Sequence, residues 1–213
     1  METTDEGVNN LAQVGLVNGA NISELGDLDF VDAELKYVYV SAEKLHDNVL
    51  KVGDIVLMSR GSNMRAAIVN QQDADKGLIA SPNCLVLTAN LNYVLPEVIV
   101  AFLNSELGQK TLDSLSTGAT IKNVPARKIK DIDLRVPDLA VQNKIAQIFK
   151  QNIETLKALR YCRCSKNYCK CCNSKINGRV GGCMNLNAEV KNSYLKRLRY
   201  LKQLYQWIKS LKF

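Results

Sequence analysis

The chain has 213 residues, 46% hydrophobic and 23% charged, enough apolar content to pack one ordinary domain with an appendage, or two small domains. Residues 1–150 carry 14 Lys and Arg against 19 Asp and Glu (net −5), whereas residues 151–213 carry 14 against 2 (net +12). The overall charge of +7 therefore belongs to the last third, which points there to an anionic partner or to a solvated basic helix, and the charged fraction is normal for a soluble globular protein.

The opening segment METTDEGVNN is acidic and polar, without the basic and apolar regions of a signal peptide. The longest apolar run, Val94 to Leu103, is broken by Pro96 and Glu97 and is too short to span a bilayer. A cytoplasmic protein with no membrane partner is expected. The first thirty residues are acidic and rich in Gly and Asn, and show no firm periodicity.

From Leu35 the pattern turns strand-like. Tyr37–Val40 is aromatic and β-branched, and Asp54–Ser59 follows a turn signal at Val52-Gly53-Asp54. Ala66–Val69 and Cys84–Ala89 complete the series, with RGSN (60–63) and QQDADKG (71–77) as polar turns. Pro96 then opens a helix at the first-turn position, where its missing N–H costs nothing. Val98, Phe102, Leu103, Leu107, Leu112 and Leu115 form its apolar face, and Gly108 weakens its middle enough to divide it. In KIKDIDLRV (128–136), Ile129, Ile132, Leu134 and Val136 mark one or two further strands that end at Pro137.

Asp138 is a plausible N-cap for the next helix, since its carboxylate can accept from a free backbone N–H. That helix carries a seam at heptad spacing: Ile145, Phe149, Asn152, Leu156 and Leu159. The composition breaks at Tyr161, where residues 161–184 are Cys-rich and unpatterned. A second helical pattern follows, with Tyr194, Leu198, Leu201, Tyr205 and Ile208 on one face and Lys and Arg on the other. The expected fold class is α/β (α+β) with a mixed or antiparallel sheet, followed by a long helix.

No constellation for nucleophilic catalysis is evident. The single histidine, His46, lies in a polar stretch, and no Gly-x-Ser-x-Gly elbow, P-loop or dinucleotide fingerprint is present. The carboxylate pairs Asp73/Asp75 and Asp131/Asp133 read as solvated charges in turns or beside strands. Cys162, Cys164, Cys169 and Cys172 are weak zinc candidates, because their spacing is more cramped than two knuckles separated by a loop. Two stretches combine basic and hydrogen-bonding side chains. One offers Arg60, Ser62, Asn63 and Arg65; the other offers Thr117, Thr120, Lys122, Asn123, Arg127, Lys128 and Lys130. Arg matches guanine bidentately and Asn matches adenine, while Lys, Ser and Thr suit phosphates.

The order of these parts resembles the specificity (S) subunit of type I restriction-modification systems. LKVGDIVLMSRGSNMRAAIV (50–69) looks like that family's L-x-x-GDI-hydrophobic strand and the loop after it. LPEVIVAFLNSELGQKTLDSLSTGATIKNV (95–124) is similar to its helix and its Gly-Ser/Thr-x-hydrophobic turn. KIKDIDLRVPDLAVQNKIAQI (128–148) looks like the junction from recognition domain to long helix, with Val141 standing where the family usually has Glu.

The resemblance implies a non-catalytic DNA-recognition subunit that binds one half of a bipartite target in double-stranded DNA. It implies a target-recognition domain over residues 1–138 and a helical spacer or dimerisation region over residues 139–213, interrupted at 161–184. The helices would form an antiparallel, coiled-coil spacer that docks the methyltransferase subunit. The implied partners are methyltransferase and restriction subunits and a second half-subunit or copy of this chain. S-adenosylmethionine, ATP and Mg would be used by the partners, with no cofactor bound here. The implied contact residues are Arg60, Ser62, Asn63 and Arg65 in one loop, and Thr120, Lys122, Asn123 and Arg127 in the other. The alternative reading is a stand-alone protein that binds nucleic acid or an anionic membrane through the basic helix at 190–213.

Overall fold

A computed structural model of the protein describes residues 11–168, apart from residues 32, 62–63 and 119–120. The chain divides into two units, Met1–Ala146 and Gln147–Phe213. The first unit is a mixed α/β fold of two small sheets and short helices.

The first sheet contains β1 (Leu11–Val17), β2 (Lys36–Ser41) and β5 (Ile79–Ala80), in the order β2-β1-β5. Strand β1 runs antiparallel to β2 and parallel to β5, so this sheet is mixed. Strand β1 has no counterpart in the sequence reading, which finds no pattern before Leu35. Its segment LAQVGLV lacks strict alternation and contains Gly15, a poor strand residue in isolation. That glycine gives a close approach: a Cβ there would press on the side-chain ends of Leu35 and Leu78, which would have to shift.

The second sheet contains β3 (Ile55–Met58), β4 (Ala66–Ile68) and β6 (Cys84–Leu87), in the order β4-β3-β6 and antiparallel throughout. These three strands and β2 form where the apolar runs predict them. Central strand β3 is covered on both faces: Ile55, Val56 and Leu57 are fully buried. Val56 joins Val17, Ile22, Leu50, Ala67, Val69 and Leu78 in one apolar core that spans both sheets. Such burial excludes water from apolar surface at about 25 cal/mol per Å².

Helix α1 (Ala42–Asn48) follows β2 and carries His46, whose side chain is solvent-exposed beside Asp47. Helix α2 (Gln71–Ala74) replaces part of the turn expected at 71–77, because the Asn70 side chain caps it by accepting from the Asp73 N–H at 3.1 Å. Asp73 is buried rather than solvated, with Lys76 at 3.4 Å, whereas Asp131 and Asp133 are exposed as expected.

Helices α3 (Pro96–Leu103) and α4 (Glu106–Leu115) are the divided helix, and Pro96 does occupy the first turn. The division falls at Asn104-Ser105 rather than at Gly108. Ser105 supplies the reason: its Oγ accepts from the Gly108 N–H at 3.0 Å and starts a new helix. Val98, Leu103 and Leu112 are buried, while Leu107 is exposed.

The strands expected within KIKDIDLRV do not form. Ala126–Ile129 is instead a short helix, α5, preceded by Pro125, and residues 133–138 form no regular element and pair with no strand. The last element, α6 (Leu139–Tyr168), starts where the junction predicts, with Asp138 accepting from the Val141 N–H at 2.9 Å. It is continuous across Tyr161, where the composition changes. Among the described residues, no helix is long and apolar enough to cross a membrane.

Candidate nucleic-acid interface

The β3–β4 loop and the loop after α4 are far apart in sequence and meet as backbone. Beyond β3 the chain continues extended, and Arg60 forms an antiparallel bridge with Asn123. The Gly61 N–H donates to the Lys122 carbonyl at 3.0 Å, and the Val124 N–H donates to the Ser59 carbonyl at 2.8 Å. Asn123 pairs in turn with Thr117 through two backbone bonds of 2.9 Å. On the opposite side, Ser59 and Arg60 both donate their N–H groups to the Asn83 carbonyl, at 2.9 and 3.2 Å.

This seam is anchored from below. Val124 and Met64 are buried, and Gln109 Nε2 donates to the Met64 carbonyl at 2.7 Å. The Asn104 side chain brackets Ala66 at the start of β4, accepting from its N–H at 2.9 Å and donating to its carbonyl at 2.8 Å. Gly118 permits the turn back toward Thr117, with φ of 99° and the Ile121 carbonyl where a Cβ would stand.

Arg60, Arg65, Lys122, Asn123 and Arg127 all lie in this part of the fold. Arg60, Asn123 and Arg127 are exposed. Arg60 and Arg65 rise from the two arms of the β3–β4 loop and line one open cleft of about 370 Å³ with Asn18, Gly19, Ala20, Met58, Ser81 and Asn83. Arg65 Nη2 is 2.7 Å from Glu24 Oε1, and Lys122 Nζ is 2.6 Å from Asp113 Oδ1. Among the described residues, Arg60 and Arg127 make no ion pair. The arrangement offers guanidinium, amide and hydroxyl donors, which suit reversible hydrogen bonding to an anion.

Ser62, Asn63 and Thr120, the other candidate contacts, lie outside the described residues. So do Cys169, Cys172 and the basic helical pattern at 190–213. No group of three or more metal-ligating side chains occurs among the described residues. On α6, Ile145, Phe149 and Asn152 are buried, and Asn152 Nδ2 has no hydrogen-bond partner among the described residues. The side chains of Leu156, Leu159, Cys162 and Cys164 lie outside those described.

Two residues of this region carry no sequence signal. Asn83 serves through its backbone carbonyl, and Glu24 lies in an ordinary polar turn; only the fold brings either to the arginines.

Two solved structures are similar at low identity. One is the HsdS subunit from Thermoanaerobacter tengcongensis, with 15% identity and a TM-score of 0.48. The other is a chain from work on the structural basis underlying complex assembly and conformational transition of the type I R-M system, with 16% identity and a TM-score of 0.49. In both cases 73% of this chain aligns, and it spans 40% of the other chain's length. No curated protein matches the sequence. The family profile described as "Type I restriction modification DNA specificity domain" matches residues 3–160, which include both sheets and both contact loops. By that match over most of its length, the chain belongs to the type I restriction-modification DNA specificity domain family.

Proposed function

We propose that this chain is the sequence-recognition subunit of a type I restriction-modification complex and that it reads one half of a split target in double-stranded DNA. The observation that carries this reading is the Arg60–Asn123 bridge, which joins the two basic loops into one surface. A body with net charge −5 can still bind DNA when its free cations converge, because phosphate contacts supply much of the affinity. Arg60 and Asn123 then offer the side-chain types that read guanine and adenine edges, while Arg65, Lys122 and Arg127, with Ser62, Asn63 and Thr120, complete the contact set.

In this reading residues 1–138 are the target-recognition domain and α6 begins the helical spacer that docks the methyltransferase subunit. The heptad spacing of Ile145, Phe149 and Asn152 supports a helical seam there, since a polar seam residue fixes register. A bipartite site needs a second recognition domain beside the one over residues 1–138, and a second copy or second half-subunit would supply it. Chemistry belongs to the partners, which use S-adenosylmethionine, ATP and Mg, and the expected location is the cytoplasm.

The test is selection from a random duplex pool by the chain purified with its methyltransferase partner. One half-site consensus per chain is expected, and alanine at both Arg60 and Arg65 should weaken binding by about 2 kcal/mol or more. Recovery of no consensus, or undiminished binding by the double variant, would overturn the proposal.

A further inference from the structure

The two arginines of the cleft are not in the same state. Arg60 makes no ion pair among the described residues, whereas Arg65 reaches across to Glu24 at 2.7 Å. Glu24 comes from the turn Ser23–Gly26, remote in sequence from the β3–β4 loop, and its carboxylate has no other partner among the described residues. The pair is open to solvent, with the Arg65 side chain 34% exposed and that of Glu24 76% exposed. It involves a single guanidinium nitrogen and is not the bidentate fork that makes Arg–carboxylate contacts strong. The cleft also presents Asn18, Ser81 and Asn83, which are neutral, so Glu24 bears on the charge of its cationic wall.

We propose that Glu24 is a built-in competitor for Arg65: it holds the guanidinium in the unbound protein and yields it to a DNA phosphate on binding. The proposal rests on the DNA-recognition reading above and adds an affinity-setting residue to it. An exposed ion pair contributes at most about 1 kcal/mol, so a phosphate that accepts two guanidinium N–H bonds displaces the carboxylate. The displacement cost falls equally on every duplex, because phosphates carry no sequence information. A target that also supplies base contacts offsets it, and arbitrary DNA does not. Glu24 thereby lowers affinity for target and non-target DNA by the same factor, so that only a duplex that also supplies base contacts stays bound.

The test is a double-mutant cycle on the full chain with a short duplex of mixed sequence, read by fluorescence anisotropy across a salt series. Glu24→Gln should tighten this binding severalfold, up to about fivefold, with the gain largest at low salt. In an Arg65→Gln background the same substitution should give no gain. A gain of equal size in both backgrounds would mean that Glu24 merely repels DNA, and no gain in either would mean that it does nothing; both outcomes overturn the proposal. Absence of any duplex binding by the unsubstituted chain would overturn the DNA-recognition reading with it, so the two failures are distinct. Thermal melting of each variant confirms that the exposed substitutions leave the fold intact.

Discussion

The side-chain oxygen of Gln142 accepts a hydrogen bond from the Leu95 backbone N–H at 3.0 Å, linking the first turns of α6 to the residue that precedes α3. The same side chain donates through Nε2 to the carbonyls of Pro137 and Tyr93, at 3.0 and 3.2 Å. Gln142 is buried, so these backbone groups have little water to turn to if it is lost.

Gln142→Leu should therefore lower stability by more than about 2 kcal/mol, since each abandoned buried polar group costs roughly 1–3 kcal/mol. Urea unfolding of the variant measures this directly. An unchanged midpoint would show that water replaces the amide.

Asn104 acts as a short piece of strand, pairing both backbone groups of Ala66 from the joint between α3 and α4. Asn104→Ala should cost about 1–3 kcal/mol. Amide hydrogen exchange should speed up at Ala66, at the foot of the arginine loop. Exchange that rises evenly over the whole unit would instead mark a general loss of stability.

Gly108→Ala reverses the usual sign. In an open helix interior alanine is favoured over glycine by about 1 kcal/mol. At Gly108 the new methyl would collide with the Phe102 carbonyl, a backbone atom that cannot rotate aside. A destabilisation of about 1–3 kcal/mol is expected from such overpacking. Thermal melting decides it, and a raised midpoint would contradict the close approach.

Cys84 is buried, and burial raises its thiol above the ordinary value of 9.0, with the Ser81 hydroxyl opposing the shift. The native thiol is thus kept neutral where an unfolded one begins to ionise. Its contribution to stability is fully present below the unfolded value and is lost as pH rises through the folded one. Iodoacetamide near pH 8 should leave the Cys84 peptide unmodified in the native protein and label it in urea, as mass spectrometry can show. Prompt labelling of native protein would place the thiol in a more accessible setting.

The elements legible in the sequence are those whose signal is local. Val52-Gly53-Asp54 announces β3, Pro96 announces α3 and Asp138 announces α6, each through backbone chemistry within a few residues. Strand β1 was not legible because its support comes from β2 and β5, and its glycine is explained only by Leu35 and Leu78. The apolar alternation at Ile132, Leu134 and Val136 misleads for the opposite reason: its period suits a strand, but no strand among the described residues pairs with it. The two polar loops could be named as candidates from their side chains, but their meeting depends on the Ser59–Val124 and Gly61–Lys122 bonds. The Glu24–Arg65 pair is equally non-local.

The shared seam also governs how this surface can change over generations. Because Ser59–Gly61 and Lys122–Val124 close each other's backbone bonds, a foreign loop grafted at either place has to keep that backbone path, or its counterpart is left with unmet donors or acceptors. An exchange that carries both stretches together, with everything between them, preserves these bonds without that condition. Drift by single substitutions is confined to side chains that project from the seam, such as Arg60 and Asn123.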